Sequence, residues 1–535
     1  MATVDDHPRI RPGVLEDRLY QEHIATTALA HNTLVVLPTG LGKTAVALRV
    51  MAEYLRRYPD RSVLLMAPTR PLVVQHGRSV TGTLLAPPPV VLTGTVTPER
   101  RAEGRGSAGI VVATPQVIEN DLRNGTLDLS TYSLIVFDEA HRAAGDYPYV
   151  AIGRANRQGG SARVLAMTAS PGSSIDRIRE VWENLGIERF EYRTLEDPDV
   201  NPYTHGIGVD TVEVPMPAEV RHLAIRLKGT AARQFEILQR HHLLPAGDAS
   251  RRDLLRVGDR LHQEVAQFRR DGQTAPAGLW SSITAQSVAM KALHATELIE
   301  SQGVEALRGF LARQTPAKGG RLTPAQRVFL NDPDVVAVRS LLGSMDLEHP
   351  KIAKTVELVK QEIAANPLGR VIVFTQYRQT AEVVVQELNR DGDGKIRSAR
   401  FVGQASHGAD EGMSQKDQIQ LLDSFRLGAI NCIVATSVGE EGLDIPSTDL
   451  VIFYEPIPDV IRTIQRRGRT GRAHTGRVVV LIAEGTRDVG LAHVARSRER
   501  KMHEMLERVE TESAKGELAR APRRAVQHSL REFGG

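Results

Sequence analysis

Pro38-Thr39-Gly40-Leu41-Gly42-Lys43-Thr44 follows an apolar run at 33–37 and precedes an amphipathic stretch at 43–58. Glycines let a backbone curl until successive N–H groups face an anion, and a helix N-terminus adds a positive dipole end. In such a turn Thr39, Gly40 and Gly42 line a phosphate cradle. The Lys43 ammonium reaches the β- and γ-phosphates of a nucleoside triphosphate, and the Thr44 hydroxyl ligates Mg2+. A plain strand–turn–helix is the bland alternative, but it leaves the lysine unexplained. The chain holds 57 Arg against 11 Lys, and Lys43 is the only lysine among its first 227 residues. A slim ammonium at this one place suits a phosphate better than a guanidinium. The common pattern opens on glycine where this chain has Leu37; the shorter PTGxGKT form is complete.

A second apolar run, 133–137, ends in Asp138-Glu139-Ala140-His141. Ligands of doubly wound sheets bind beyond the C-terminal strand ends. Asp138 there can hold Mg2+, Glu139 can polarise the water that attacks a γ-phosphate, and His141 can relay the nucleotide state. Two acids after a strand are weak alone, but the pair gains weight from sharing a sheet with Lys43. Further on, Gln465-Arg466-Arg467-Gly468-Arg469-Thr470-Gly471-Arg472 sets four arginines in eight residues. It reads either as a solvated basic surface or as arginine fingers, Arg469 and Arg472, supplied across a domain cleft to a transferring phosphoryl group. Asp444, in the loop after 434–436, is placed to touch a ribose or the interdomain contact.

These residues need a frame. Apolar runs at 33–37, 62–67, 109–113, 133–137 and 163–167 alternate with helical patterns, which predicts a doubly wound parallel α/β sheet. Runs at 370–374, 429–435, 449–454 and 476–482 repeat the style. Between the two blocks, 219–240, 251–270 and 282–313 carry apolar residues at three- and four-residue spacing, which predicts helices. Residues 271–278 and 315–320 read as loops. Two nucleotide-facing halves around one cleft imply a motor that closes on ATP and opens after hydrolysis.

Composition excludes much. With 41% hydrophobic and 25% charged residues the chain is globular, not disordered or fibrous. One cysteine, Cys432, rules out an internal disulfide and reads as core. No apolar run approaches the ~20 residues of a membrane helix, and MATVDDHPRI has no signal-peptide pattern. The expectation is a cytoplasmic protein without a membrane partner. Net charge +4 permits an anionic partner. Aromatics at 4% argue against rows of base-stacking platforms. His241-His242 lacks an acid or cysteine at ligand spacing.

Together the motifs resemble those of superfamily 2 helicases. PTGLGKT (38–44) is similar to motif I, DEAH (138–141) to motif II, TAS (168–170) to motif III and QRRGRTGR (465–472) to motif VI. APTRPLVVQH (67–76) and ATPQVIEN (113–120) are similar to motifs Ia and Ib. Arg18-Leu19-Tyr20-Gln21 resembles the Q motif, which makes Gln21 the adenine reader. A finer resemblance, to archaeal Hef and its relative FANCM, rests on MTASPG (167–172), FVGQAS (401–406), GMSQKDQ (412–418) and VATSVGEEGLDIP (434–446). It also rests on MKALHATELIESQGVEALRGFL (290–311).

This resemblance implies a first RecA-like lobe at 1–214, a thumb-like helical insert at 215–345 that grips branched DNA, and a second RecA-like lobe at 346–495. A charged, helical tail with a loose end follows at 496–535. It implies an ATP- and Mg2+-dependent DNA helicase or translocase on forked or branched DNA, driving fork regression or branch migration in a prokaryotic, nucleoid-associated setting. Implied nucleic-acid contacts are Arg70, Thr93, Gly94 and Thr114 on the first lobe and Thr375, Gln404 and Thr436 on the second. Thr168, Ser170 and Gln465 join His141 as coupling residues. In the insert Arg252 and Arg256, one helical turn apart, lead a set that includes Arg221, Arg226, Lys228, Arg251 and Arg260; a solvated helix face is the alternative.

Full-length Hef-type proteins add a nuclease marked by ERKxxxD. Here Glu499-Arg500-Lys501 is followed by Met505 where the motif has Asp. The expectation is therefore the helicase part alone, with a separately encoded nuclease or a sliding clamp as candidate partner. The same motifs recur in RIG-I-like RNA sensors, so a duplex-RNA sensor or translocase stands as the rival.

Overall fold

The computed structural model describes residues 3–106, 109–169, 171–172, 174–195, 197–203, 207–315, 320–345, 347–390, 394–403, 412–436, 448–457 and 476–514. The first lobe is a seven-stranded parallel sheet. Its strands are β1 (Thr33–Val36), β2 (Ser62–Met66), β3 (Val90–Leu92), β4 (Ile110–Ala113), β5 (Tyr132–Asp138), β6 (Arg163–Thr168) and β7 (Arg189–Tyr192), in the order 3-4-2-5-6-1-7. Helix α1 (Leu19–Ala30) precedes β1, and the crossovers run through α2 (Lys43–Arg57), α3 (Arg70–Thr83), α4 (Pro98–Gly106), α5 (Pro115–Arg123), α6 (Pro148–Gly159) and α7 (Ile175–Leu185).

The central strands are buried on both faces, so they read as unbroken apolar runs rather than as alternation. Their side chains still alternate in space. Leu34, Leu64, Ile135 and Phe137 enter one core, under α5, α6 and α7; Val35, Val63, Leu134 and Val136 enter the other, under α1, α2 and α3. This fixes the register, because a one-residue slip would exchange the two sets.

After β8 (Ile207–Val214) comes a bundle of α8 (Ala218–Arg240), α9 (Arg251–Arg270), α10 (Ala277–Ser301), α11 (Val304–Gln314), α12 (Pro324–Asn331) and α13 (Pro333–Ser344). Its core continues to Ala483 and Tyr377. The stretch predicted as helical over 282–313 is two helices. They break at Gly303, whose φ is 94° and where a Cβ would stand 2.8 Å from His349 Cβ.

The second lobe holds α14 (Pro350–Ala365), β9 (Val371–Phe374), α15 (Arg378–Arg390), β10 (Ser398–Phe401), α16 (Gln415–Arg426), β11 (Cys432–Ala435), β12 (Leu450–Phe453) and β13 (Gly476–Ala483). Its parallel sheet runs β10-β11-β9-β12-β13-β8. A last helix, α17 (Arg487–Ala514), completes the described chain.

Two boundaries expected from sequence move. Strand β8 was placed in the first lobe by the 1–214 range; it instead pairs along its whole length with β13. Strand β7 already occupies the sheet edge beside β1, so the chain crosses to the other lobe before pairing again. The tail expected from 496 is also different. Helix α17 starts at Arg487 against the second lobe, and Met502, Leu506 and Val509 insert into the first-lobe core. His503 Nδ1 meets the Tyr192 hydroxyl at 2.6 Å. One helix thus spans both lobes, and residues 515–535 lie outside the described part.

A buried pair fastens this helix to the second lobe. Lys351 Nζ and Asp488 Oδ2 are in contact with neither side chain exposed, and Asp488 Oδ2 also accepts from the Ala483 N–H at 3.2 Å. Glu297 and Glu300 of α10 reach the same junction, Glu297 through the Arg487 guanidinium at 2.6 Å and Glu300 through the Arg487 N–H at 3.3 Å. The insert is therefore built onto the second lobe and the root of α17.

Candidate nucleotide site and interlobe cleft

The order of the first sheet puts β6 between β1 and β5, so the loops after all three open at one C-terminal edge. After β1, Gly40 and Gly42 have φ of 97° and 79°. Only glycine adopts these routinely, and they turn the loop N–H groups inward ahead of α2. Gly42 is the N-cap of α2, and Lys43 and Thr44 are its first residues. Lys43 Nζ donates to the Leu37 carbonyl at 3.2 Å. Thr39, Gly40, Gly42, Lys43 and Thr44 thus sit together in one turn.

Gln21, the expected adenine reader, lies next to this loop. It is buried on α1, and its side-chain amide donates to the Leu41 carbonyl at 3.1 Å, beside the Tyr20 hydroxyl at 2.7 Å from the same oxygen. In this structure Gln21 braces the phosphate loop.

Across β6 lies the acidic pair. Asp138 is buried; its Oδ2 meets His76 Nε2 at 2.8 Å and its Oδ1 accepts from the Glu139 N–H at 3.0 Å. Burial alone would raise the Asp138 carboxyl. The His76 hydrogen bond and the nearby His76 and Lys43 charges outweigh it, holding the group below the usual carboxylate range. Asp138 therefore stays an anion. Tyr149 clamps the end of this strand, its hydroxyl 2.7 Å from the Asp138 carbonyl and 3.2 Å from that of Met66.

Glu139 adopts φ 51°, a left-handed conformation that costs a non-glycine residue about 1–2 kcal/mol. Its Oε2 is buried and has no hydrogen-bond partner among the described residues. A strained backbone at this position marks a group held for chemistry. His141 Nδ1 lies 3.3 Å from that oxygen and 3.0 Å from Thr168 Oγ1 at the end of β6. The predicted coupling residues His141 and Thr168 are in contact.

An ammonium, a hydroxyl, an ionised carboxylate and a glycine-lined N–H cradle at one edge form a donor set that fits a Mg2+–nucleotide: hard oxygen ligands for the metal and cationic or N–H donors for phosphate. Thr44 and Asp138 are the residues that would hold the metal.

A cleft of about 600 Å3 opens between α3 and α16, one helix from each lobe. Arg70, Arg78, Lys416 and Arg426 line it beside Val74, Ile419 and Asp423, which pairs with Arg426 at 2.7 Å. Among the described residues predicted to touch nucleic acid, only Arg70 lines it. Thr93 bonds to Thr95 at 3.0 Å, Gly94 is exposed next to it, and Thr114 is the buried N-cap of α5.

The second-lobe expectations fare differently. Thr375 and Thr436 are buried. The Thr375 hydroxyl lies 3.3 Å from Glu455, which also takes the Gln376 N–H, so Thr375 serves the sheet end rather than an open surface. In the insert Arg252 and Arg256 lie on the exposed face of α9. Arg226 and Lys228, by contrast, are paired with carboxylates of the insert, Asp334 at 3.0 Å and Glu300 at 2.7 Å, although Lys228 is itself exposed. Arg469, Arg472, Gln465, Asp444, Gln404 and Ser170 lie outside the described residues.

Sequence reasoning missed His76, Tyr149, Glu455 and the cations of α16. The signal for His76 was present: a histidine at a core position of α3, between Val73 and Val80.

Residues 18–178 match the DEAD/DEAH box helicase family, 352–474 the helicase conserved C-terminal domain, and 219–348 the helical bundle of putative ATP-dependent RNA helicases. The Hef helicase domain of Pyrococcus furiosus, known from a crystal structure, is 41% identical and superposes with a TM-score of 0.70, covering 90% of this chain and 98% of that one. The putative ATP-dependent RNA helicase MJ1505 of Methanocaldococcus jannaschii is 38% identical over 94% of this chain. The putative ATP-dependent DNA helicase fml2 of Schizosaccharomyces pombe is 32% identical over 90%. The chain spans 62% of the length of each of these two relatives. No helix among the described residues is long and apolar enough to cross a membrane.

Proposed function

The chain belongs to the ATP-hydrolysing superfamily 2 helicases of the Hef and FANCM type, and from that premise we propose that it is an ATP-dependent DNA helicase or translocase acting on forked or branched DNA. The observation that carries the reading is the cleft between α3 and α16. Cations from both lobes line it, and α3 also carries the side chain that bonds Asp138. Phosphate contacts of this kind hold a strand in any sequence, which a motor requires.

Bound Mg2+–ATP supplies the phosphoryl group and the charge that the site must stabilise. The loop N–H groups and Lys43 hold the phosphates, while Thr44 and Asp138 orient the metal. The Glu139 carboxylate positions the attacking water and takes its proton. Arg469 and Arg472 act as arginine fingers from the second lobe by their motif. His141 and Thr168 carry the change at Glu139 to the end of β6. The exposed Arg252–Arg256 face of the insert is assigned to duplex near the branch. The fml2 and mph1 relatives are named as DNA helicases, and the Neurospora crassa mph1 is 34% identical to this chain.

One observation favours a second reading. The MJ1505 relative and the helical-bundle family carry RNA helicase in their names. ATPase rate against single-stranded DNA, blunt duplex DNA, forked DNA, a four-way junction and duplex RNA separates the two. Greatest stimulation by forks or junctions is expected. Greatest stimulation by duplex RNA would move the function to RNA.

A further inference from the structure

Helix α3 has two working faces. Arg70, Val74, Gln75 and Arg78 line the interlobe cleft, while Val73, His76 and Val80 are buried against the first sheet. His76 is 4% exposed, and its Nε2 stands 2.8 Å from Asp138 Oδ2. The second oxygen of Asp138 is taken by the Glu139 N–H at 3.0 Å. Each carboxylate oxygen therefore has one fixed donor, and the carboxylate plane cannot turn without breaking a buried hydrogen bond. Each oxygen also keeps a lone pair for a metal or a metal-bound water. Residues 76 and 138 are far apart in sequence, so this contact exists only because β2 and β5 are neighbours in the sheet.

We infer that His76 is a positioning residue for the metal-holding carboxylate, and that it links the cleft face of α3 to the metal site. Partners that orient a metal ligand typically set metal affinity by a factor of about 10–100. A strand gripped by Arg70 and Arg78 would press on α3 as a rigid rod. The buried side chain that ends at Asp138 is His76. The linking half of the inference rests on the cleft being the nucleic-acid site; the positioning half does not.

The test uses the full chain with ADP and Mn2+, following bound Mn2+ by electron paramagnetic resonance. His76→Leu keeps the volume and loses the donor; His76→Gln keeps an N–H donor at similar reach. With His76→Leu, Mn2+ affinity in the ADP complex is expected to fall about 10- to 100-fold, with metal-free ADP binding unchanged, and His76→Gln is expected to restore most of it. Mn2+ affinity within threefold of wild type in a folded His76→Leu protein would reduce the residue to core filling. If His76→Leu does not fold, His76→Asn against His76→Gln decides the matter: asparagine is too short to reach, so equal affinities overturn the inference. Adding a saturating forked oligonucleotide should shift Mn2+ affinity in the wild type and not in His76→Leu. An equal shift in both would remove the link while leaving the positioning role. An oligonucleotide that fails to bind would refute the proposed function and the link, with the metal arm still standing or falling by its own result.

Discussion

Gly42→Ala should cripple nucleotide binding, by an amount the structure sets. Gly42 caps α2 with φ 79° and ψ 43°, where an L-residue costs about 1–2 kcal/mol. The new Cβ would also stand 2.5 Å from Gln21 Nε2, closer than atoms approach. Gln21 is buried and donates to the Leu41 carbonyl, so it yields only by losing a hydrogen bond worth about 0.5–1.5 kcal/mol. Together these disfavour the nucleotide-ready loop by about 1.5–3.5 kcal/mol, or roughly a ten- to three-hundred-fold loss of affinity. The assay is equilibrium titration with a fluorescent ADP in Mg2+. Gln21→Ala combined with Gly42→Ala removes the collision and leaves the backbone cost, so the double variant should lose less than the two single losses added. Affinity for Gly42→Ala within about threefold of wild type, or strict additivity of the pair, would refute the argument.

Four further outcomes follow from particular contacts. Lys43→Ala should abolish ATP hydrolysis, read as phosphate release; a wild-type rate would remove Lys43 from the mechanism. Lys351→Met leaves Asp488 buried without its cation and should cost about 3–5 kcal/mol in urea unfolding, while Lys351→Met with Asp488→Leu should recover much of it. His349 is held neutral, since burial and the Lys351 charge push it down to about 3. Its Nε2–H donates to the Glu300 carbonyl and its Nδ1 accepts from the Lys351 N–H, an arrangement only the neutral ring allows. The unfolded ring takes a proton below about 6.5. His349 therefore lowers stability as pH falls, by about 2 kcal/mol between pH 7 and pH 5, and His349→Asn should flatten that slope in thermal scans. Leu506→Ala opens a cavity where α17 meets the first lobe and should cost about 2–5 kcal/mol. It should also speed amide exchange in the second half of α17; unchanged protection would mean the helix does not depend on that contact.

Much of the frame was legible because strands buried on both faces must be apolar throughout. Five first-lobe strands and four second-lobe strands announce themselves that way. Strands β3, β7 and β10 do not, being short or lying at sheet edges where one side needs no apolar residue. The phosphate loop was equally legible, because backbone curvature, phosphate and metal each demand a residue type at fixed spacing along one stretch of chain. Gly40, Gly42, Lys43 and Thr44 needed no partner from elsewhere.

What the sequence could not decide is everything that depends on strand order and on which cation meets which anion. His76 bonds Asp138 because β2 and β5 are adjacent, and no local spacing reports that adjacency. Arg226, Lys228 and Arg252 look alike as basic residues on helices. Two are neutralised by Asp334 and Glu300, and Arg252 faces solvent. Strand β8 is not among the strands predicted from sequence; the edge beside β1 is filled by β7, and β8 pairs with β13 in the second sheet. Local chemistry is written in consecutive residues; partnership across the fold is settled only when packing brings distant ones together.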